Sequence, residues 1–257
     1  MQDIEVAFEG RPILQNFNLQ VAQGEKVVLA GPSGCGKSTL LKCLLGFVVP
    51  PKGSIQINGQ KLDRDSVWEI RRQIAYVVQE PAFAPGTVEE ALQLPFSYKA
   101  NTALRDNLDR IPELLKCCNL PMMLLAKDIK TLSGGEKQRI ALISAILLDR
   151  PLILLDEVTS ALDKENKEAV AHFFQEAHDK TVLSIAHDTN WHDFSDRVIH
   201  LPAPCMLPPQ NDTGDPTGLA PVVKEGGQSD GRSLPSTLTT TTPTSWEAGT
   251  AGRKGSS

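Results

Sequence analysis

The sequence predicts an α/β fold organised around a mostly parallel sheet, because short apolar runs alternate with helical segments. Residues 27–30 (Val-Val-Leu-Ala), 152–155 (Leu-Ile-Leu-Leu) and 181–186 form such runs, which are typical of strands buried on both faces. Residues 163–177, between the second and third runs, are predicted to form a helix. A strand, a helix and another strand in this order imply that the two strands are parallel neighbours.

Shorter segments add a β-rich N-terminal part. Residues 3–8 and 17–21 alternate between apolar and polar side chains, and residues 54–62 contain Asn58-Gly59, which suits a hairpin turn. We therefore expect an N-terminal antiparallel β-subdomain. Two further short strands complete the predicted set, at 74–78 and 196–201.

Residues 82–149 change to a helical pattern. Thr87 is predicted to cap a helix, with Glu90 three residues further on, and residues 104–119 are largely helical despite Pro112. Because strands are predicted before and after this stretch, we expect a helical subdomain inserted between two halves of the sheet.

The composition changes after residue 201. Residues 201–257 contain eight Pro, eight Gly and a run of four Thr at 239–242. Such a segment cannot bury enough apolar surface to offset its chain entropy. We predict one domain over residues 1–201 and a disordered Pro/Gly/Thr-rich tail over 202–257; a docking role for the tail is the alternative.

Charge and composition exclude some classes of protein. The net charge is −5 and the sequence pI about 5.6, with two Tyr, three Trp and eight Phe, so neither a broad basic surface nor many base-stacking platforms are expected. No apolar run approaches the ~20 residues of a membrane span, so we expect any membrane role to depend on another protein. The five cysteines show no disulfide framework and no metal-ligand spacing, and Cys35 is interpreted as a tolerated small side chain.

Residues 31–39 form a complete G-x-x-x-x-G-K-[ST] pattern between the run 27–30 and a helix predicted over 39–46. Glycines let such a loop turn tightly and bring its N–H groups close to phosphate oxygens. Lys37 is predicted to reach the β/γ-phosphates of a nucleotide, and the Ser38 hydroxyl to bind Mg²⁺. The candidate binding residues of the loop are Gly31, Pro32, Ser33, Gly34, Cys35, Gly36, Lys37, Ser38 and Thr39.

A second candidate anion site lies at the start of a helix predicted over 133–149. Ser133 is a natural N-cap and Glu136 completes a capping box. Gly134 and Gly135 leave the first turn uncovered, although glycine there costs up to about 1 kcal/mol relative to alanine. A ligand that approaches the bare N–H groups would explain this cost.

Two acidic residues end the apolar run 152–155. Asp156 and Glu157 lie at the carboxyl end of a buried strand, where open α/β sheets place their chemistry. Asp156 is predicted to hold Mg²⁺, directly or through water, and Glu157 to act as general base toward the attacking water.

The segment Leu132-Ser133-Gly134-Gly135-Glu136-Lys137-Gln138-Arg139 resembles the signature motif of ATP-binding cassette (ABC) ATPases. The resemblance covers residues 1–201 and implies a P-loop NTPase fold that binds ATP and Mg²⁺. It also implies a nucleotide-dependent homodimer in which two chains pair head to tail. Ser133 and Gly135, with Gly134 between them, would then contact the γ-phosphate bound by the partner chain.

The same resemblance implies roles for four more residues. His187 is similar to the switch histidine that contacts the γ-phosphate and orients the water, and Gln79 to the glutamine that senses Mg²⁺ and the transport subunit. Asp163 resembles the residue that faces the partner's phosphate loop. Phe8 is similar to an aromatic residue that stacks on adenine; a core position on the first strand is the alternative.

By resemblance we expect an ATP-hydrolysing subunit that lies on the cytoplasmic face of a membrane and docks on a separate transmembrane permease. Residues 156–167, 86–88 and 94–96 resemble the short FetA/YbbL type, which is associated with iron export; plant aluminium-tolerance cassettes are also similar. One alternative is a soluble ABC ATPase acting on nucleic acid or ribosomes. Another is a non-hydrolysing regulatory subunit, which the intact Lys37 and Glu157 disfavour.

Overall fold

The computed structural model of the chain describes residues 1–186 and 189–202. Of the residues singled out above, His187 and the predicted tail beyond Pro202 lie outside this part. The tail and the domain boundary at 201 therefore stay predictions.

Strands and α-helices alternate along most of the described chain. In chain order they are β1 (Gln2–Phe8), β2 (Arg11–Phe17), β3 (Lys26–Ala30), α1 (Lys37–Leu44), β4 (Lys52–Ser54), β5 (Gln56–Ile57), β6 (Gln60–Lys61), α2 (Val67–Arg71), β7 (Ile74–Val77), α3 (Val88–Ser97), α4 (Ile111–Cys117), α5 (Gly134–Leu147), β8 (Leu152–Asp156), α6 (Lys164–Glu176), β9 (Thr181–Ile185), α7 (Thr189–His192) and β10 (Arg197–His200). Short 3₁₀ segments lie at Lys99–Arg110, Met122–Ala126, Ile129–Thr131 and Val158–Ala161.

The central sheet has five strands in the order β10-β3-β9-β8-β7, and all its neighbouring strands are parallel. Successive side chains of the central strands pack into two different hydrophobic clusters. Leu154 and Leu183 pack in the cluster that contains Leu40 of α1, whereas Ile153 and Val182 pack in the cluster that contains α5 and α6. The prediction of strands buried on both faces is confirmed.

The N-terminal β-subdomain is antiparallel as predicted, with strand order β2-β1-β4. The strand predicted at 17–21 is wrong, because the second strand covers Arg11–Phe17. The reason is a tight turn: Glu9 and Gly10 both have positive φ (50° and 74°), so Arg11 already pairs with Phe8. The hairpin at Asn58-Gly59 is confirmed by the β5–β6 pair.

The helices α3, α4 and α5 lie in the chain between β7 and β8, which are direct neighbours in the sheet. Thr87 and Glu90 form the predicted capping box at the start of α3. Pro112 lies in the first turn of α4, where its missing N–H breaks no helical hydrogen bond.

The parallel strands place their carboxyl ends at one edge of the sheet. The loop after β3 and the residues after β8 therefore meet there, and α5 is tied to the same region because Gln138 donates a hydrogen bond to the Val78 carbonyl after β7 (3.1 Å). Within residues 1–186 and 189–202, no helix is both long and apolar enough to cross a bilayer.

Candidate nucleotide-binding site

The loop between β3 and α1 is shaped by glycine at the start of α1. Gly36 is the N-cap, with φ 99° and ψ 9°, a conformation that side chains rarely adopt. A Cβ there would also lie 2.6 Å from Ile13 Cγ2 of β2. Only glycine lets the loop pass this close to the β-subdomain.

Lys37, the first residue of α1, turns its ammonium group back over the loop. Nζ donates hydrogen bonds to the carbonyl oxygens of Gly31 (2.8 Å) and Pro32 (2.9 Å), and the residue is 5 % exposed. The loop tip at Pro32, Ser33 and Gly34 is exposed. A buried cation whose hydrogen bonds go to neutral carbonyls favours an anionic ligand at this loop.

Cys35, also in this loop, is buried, while Ser38 and Thr39 in the first turn of α1 are half-buried.

Asp156 ends β8 and is 7 % exposed. Its Oδ1 accepts a hydrogen bond from Ser38 Oγ (3.2 Å), and its Oδ2 accepts one from the Tyr76 hydroxyl (3.1 Å). Burial, followed by the charge of Asp156 and the hydrogen bond to it, raises the pKa of Tyr76 to about 12, so the phenol keeps its proton at neutral pH and is the donor. Residues far apart in the sequence thus meet at one carboxylate.

Glu157 has an unusual backbone for a residue with a side chain. Its φ of 49° and ψ of 33° are left-handed, and its N–H donates to the Ile185 carbonyl of β9 (3.1 Å). The Gln79 amide Nε2 donates to Glu157 Oε2 (2.8 Å). Strained backbone held by neighbouring strands is characteristic of reactive sites.

The start of α5 is capped as the sequence predicts. Ser133 Oγ accepts from the Glu136 N–H (3.3 Å), and both the N–H and the hydroxyl of Ser133 donate to Glu136 Oε2 (2.8 Å each). These bonds lower the pKa of Glu136. Apart from its chain neighbours and the backbone of its own helix, a Cβ added to Gly134 would meet no described heavy atom within 4 Å. Glycine is therefore not required there by packing within the chain.

The remaining predicted site residues make none of the hydrogen bonds described above. Phe8, at the end of β1, is 67 % exposed, so the alternative that it is a core residue is wrong. Asp163 is exposed and caps α6 by accepting from the Asn166 N–H (2.9 Å), a role that sequence analysis did not assign. His187 lies outside the described residues.

Two buried polar contacts were missed from the sequence. Tyr76 pairs with Leu154 in the β7–β8 register, on the face that Asp156 shares two residues later. Gln138 lies inside the quoted signature, but its bond to Val78 depends on how α5 packs beside β7. The parallel register was the available signal for Tyr76; for Gln138 the sequence offers none.

Comparisons with known proteins show the family of the chain. The family model described as "ABC transporter" matches residues 14–160. The chain is 36 % identical over 196 residues to the "Probable iron export ATP-binding protein FetA" of Escherichia coli (strain K12), covering 74 % of this chain and 84 % of that protein. It is 34 % identical over 194 residues to the energy-coupling factor transporter ATP-binding protein EcfA1 of Mycoplasmopsis synoviae (strain 53), covering 73 % of this chain and 72 % of that protein.

A solved structure supports the same fold. The dimeric, post-hydrolysis structure of the ATP-binding cassette MJ0796, bound to ADP and Pi, superimposes with a TM-score of 0.69 at 32 % identity, covering 78 % of this chain and 92 % of that one. The segment matched by the family model includes the phosphate loop, the signature segment and the acidic pair at the carboxyl end of β8. The chain therefore belongs to the ABC transporter family, as one of its ATP-binding and ATP-hydrolysing subunits.

Proposed function

We propose that the chain powers transport through a separate membrane permease, by closing and reopening an ATP sandwich made of two copies. The observation that carries this proposal is the cluster at the sheet edge, where Lys37, Ser38, Asp156, Gln79 and Glu157 converge. A second anion-ready helix start follows Ser133, where a Cβ at Gly134 would meet no described heavy atom beyond its chain neighbours and its own helix.

The phosphate loop supplies charge and backbone donors. Lys37 exchanges its two carbonyl partners for the β/γ-phosphates, and the N–H groups at the start of α1 face the same anion. Phe8, exposed at the end of β1, offers a ring on which adenine stacks.

The donor chemistry beside the loop fits Mg²⁺. The Ser38 hydroxyl and the Asp156 carboxylate are hard oxygen donors already within 3.2 Å of each other, and Mg²⁺ is usually held by one or two carboxylates plus substrate phosphates. Ser38 and Asp156 would hold the ion, with the Gln79 amide beside them. When bound, Mg²⁺ supplies neutralisation of the phosphate charge.

Glu157 acts as the general base. Its carboxylate takes a proton from the attacking water as that water adds to the γ-phosphorus and ADP leaves. The Gln79 amide donates to one of its oxygens at 2.8 Å, which fixes the direction of the carboxylate. His187 is assigned to orient the water, by family resemblance alone.

The two-chain sandwich uses the start of α5. Ser133, Gly134 and Gly135 present N–H groups and a hydroxyl to the γ-phosphate bound by the other copy, and Asp163 faces that copy's phosphate loop. The dimeric MJ0796 cassette, at 32 % identity, supports this arrangement.

The partner and cargo are proposed from relatives. Names of the similar proteins refer to transporter subunits, so we assign the chain to the cytoplasmic face of a membrane, bound to a permease. Similarity to FetA favours export of iron. The net charge of −5 weighs against the alternative of a nucleic-acid or ribosome ATPase.

The sandwich is tested with Glu157→Gln, which removes the base because an amide of the same size replaces the carboxylate. With ATP and Mg²⁺ we expect this variant to elute as a dimer, because ATP stays uncleaved between the copies; with ADP it should elute as a monomer. Glu165→Gln, an exposed position on α6, is the matched control and should turn over ATP like the natural chain. A monomeric Glu157→Gln chain at saturating ATP would contradict the proposal.

The cargo is tested separately, in cells that produce the chain together with its permease. Iron export predicts a lower cell-associated iron content than in cells that carry Lys37→Ala. An unchanged iron content, with ATP turnover intact, would reject iron and leave the transport ATPase in place.

A further inference from the structure

Tyr76 makes a contact at the acidic end of β8 that the proposed chemistry leaves without a role. β7 is the edge strand of the central sheet, and Tyr76 pairs there with Leu154 of β8. Side chains of Leu154 and Asp156 point to the same face. The phenol therefore reaches along β8 to Asp156, where its hydroxyl donates to Oδ2 at 3.1 Å.

The two oxygens of Asp156 have different kinds of partner. Oδ1 accepts from the Ser38 hydroxyl, which lies on a short side chain in the first turn of α1. Oδ2 accepts from Tyr76, whose ring is held because it packs against the core cluster below α1. The serine oxygen can move by rotation about χ1, whereas the packed ring fixes the position of the phenol oxygen.

A carboxylate at a strand end turns about its terminal torsion, which has only broad preferences. One donor on each oxygen removes this freedom. If Ser38 turned its oxygen toward a cation, the donor on Oδ1 would be lost, and of the two described partners Tyr76 would be left to set the plane of the carboxylate. Residues that hydrogen-bond to a metal ligand in this way orient the ligand at metal sites.

We propose that Tyr76 is a positioning residue of the magnesium site, which holds the Asp156 carboxylate so that Oδ1 faces Ser38. This inference rests on the proposed function, because it takes Ser38 and Asp156 as the residues that hold the ion. In this role Tyr76 acts through Asp156 and is not itself a ligand of the ion.

A purely structural explanation is that a partly buried phenol takes any available acceptor. The two explanations differ in what Tyr76→Phe changes. Loss of an orienting partner lowers the contribution of Mg²⁺ to nucleotide binding, whereas loss of a structural hydrogen bond lowers thermal stability and leaves that contribution unchanged. Phenylalanine keeps the ring in the core.

The experiment measures binding of a fluorescent ATP analogue, once with EDTA and once with saturating Mg²⁺. The dissociation constant in EDTA divided by the dissociation constant in Mg²⁺ measures the magnesium contribution. For Tyr76→Phe we expect this ratio to fall about tenfold, the lower end of the range for such partners, with an unchanged dissociation constant in EDTA. Tyr98→Phe, at the exposed second tyrosine, is the matched control and should keep the natural ratio.

A double-variant cycle makes the test specific to Asp156. If Tyr76 acts through that carboxylate, adding Tyr76→Phe to Asp156→Asn causes no further fall in the ratio. An unchanged ratio in Tyr76→Phe alone, or equal losses with and without Mg²⁺, would overturn the inference while leaving the proposed function intact. A natural chain that shows no magnesium contribution would instead overturn the proposed magnesium site itself.

Discussion

Gly134→Ala is expected to raise stability while lowering activity. Gly134 is the first residue of α5 and does not have a positive φ, so alanine adopts its backbone without strain. Beyond its chain neighbours and the backbone of α5, the added Cβ would have no described heavy atom within 4 Å. Alanine then stabilises the helix, through its higher propensity and the lower entropy of the unfolded chain, by about 0.5–1 kcal/mol. For a domain of this size that is about 1–4 °C in Tm.

The same methyl group occupies the space through which the proposed γ-phosphate reaches the N–H groups of α5. We expect the ATPase rate of Gly134→Ala to fall at least about tenfold, since loss of a preorganised donor to a reacting group commonly costs about a hundredfold. The assay pairs thermal unfolding without nucleotide with steady-state ATP hydrolysis of the same preparation.

Gly59→Ala is the matched control for this experiment. A Cβ at Gly59 also meets nothing within 4 Å, but its φ is 77°, so alanine is strained in the hairpin turn. We expect the opposite pattern, with a stability loss of about 1 kcal/mol and an unchanged ATPase rate. The reasoning would be refuted if Gly134→Ala lost stability, or if it gained stability and hydrolysed ATP at the natural rate.

Three further predictions follow from single residues. Glu157→Gly should be more stable than Glu157→Ala by about 1 kcal/mol in chemical unfolding, because glycine relieves the positive φ; equal stabilities would deny the strain. Phe8→Ala should weaken ATP binding several-fold but leave Tm almost unchanged, since the ring is exposed; a Tm loss alone would reject adenine stacking. Among the four described cysteines, alkylation near neutral pH should label Cys117 first, because Cys117 is exposed and the other three are buried. Burial also raises the pKa of Cys43 to about 11 and of Cys118 to about 12. Equal labelling of the four in mass spectrometry would contradict this burial.

Much of the fold follows from local sequence patterns. The central strands are recognisable because burial on both faces requires continuous apolar runs, and the caps at Thr87 and Ser133 because they need specific side chains at fixed spacing. The second strand was misplaced because residues 17–21 alternate although the strand itself ends at Phe17. The Glu9-Gly10 turn, not that alternation, decides where pairing starts.

The candidate site was predictable where one short segment carries the chemistry, as at Lys37 or the pair Asp156-Glu157. It was not predictable where contacts join distant elements. The bond from Tyr76 to Asp156 spans 80 residues and depends on strand register, and the bond from Gln138 to Val78 spans 60 and depends on helix packing.

The central claim is that the chain drives a membrane permease with ATP. Its most direct test is affinity purification of Glu157→Gln from membranes in the presence of ATP and Mg²⁺, followed by identification of the proteins that accompany it. We expect a small polytopic membrane protein, which should be lost when Lys37→Ala is added. Recovery of ribosomes or nucleic acid in its place would contradict the transport function.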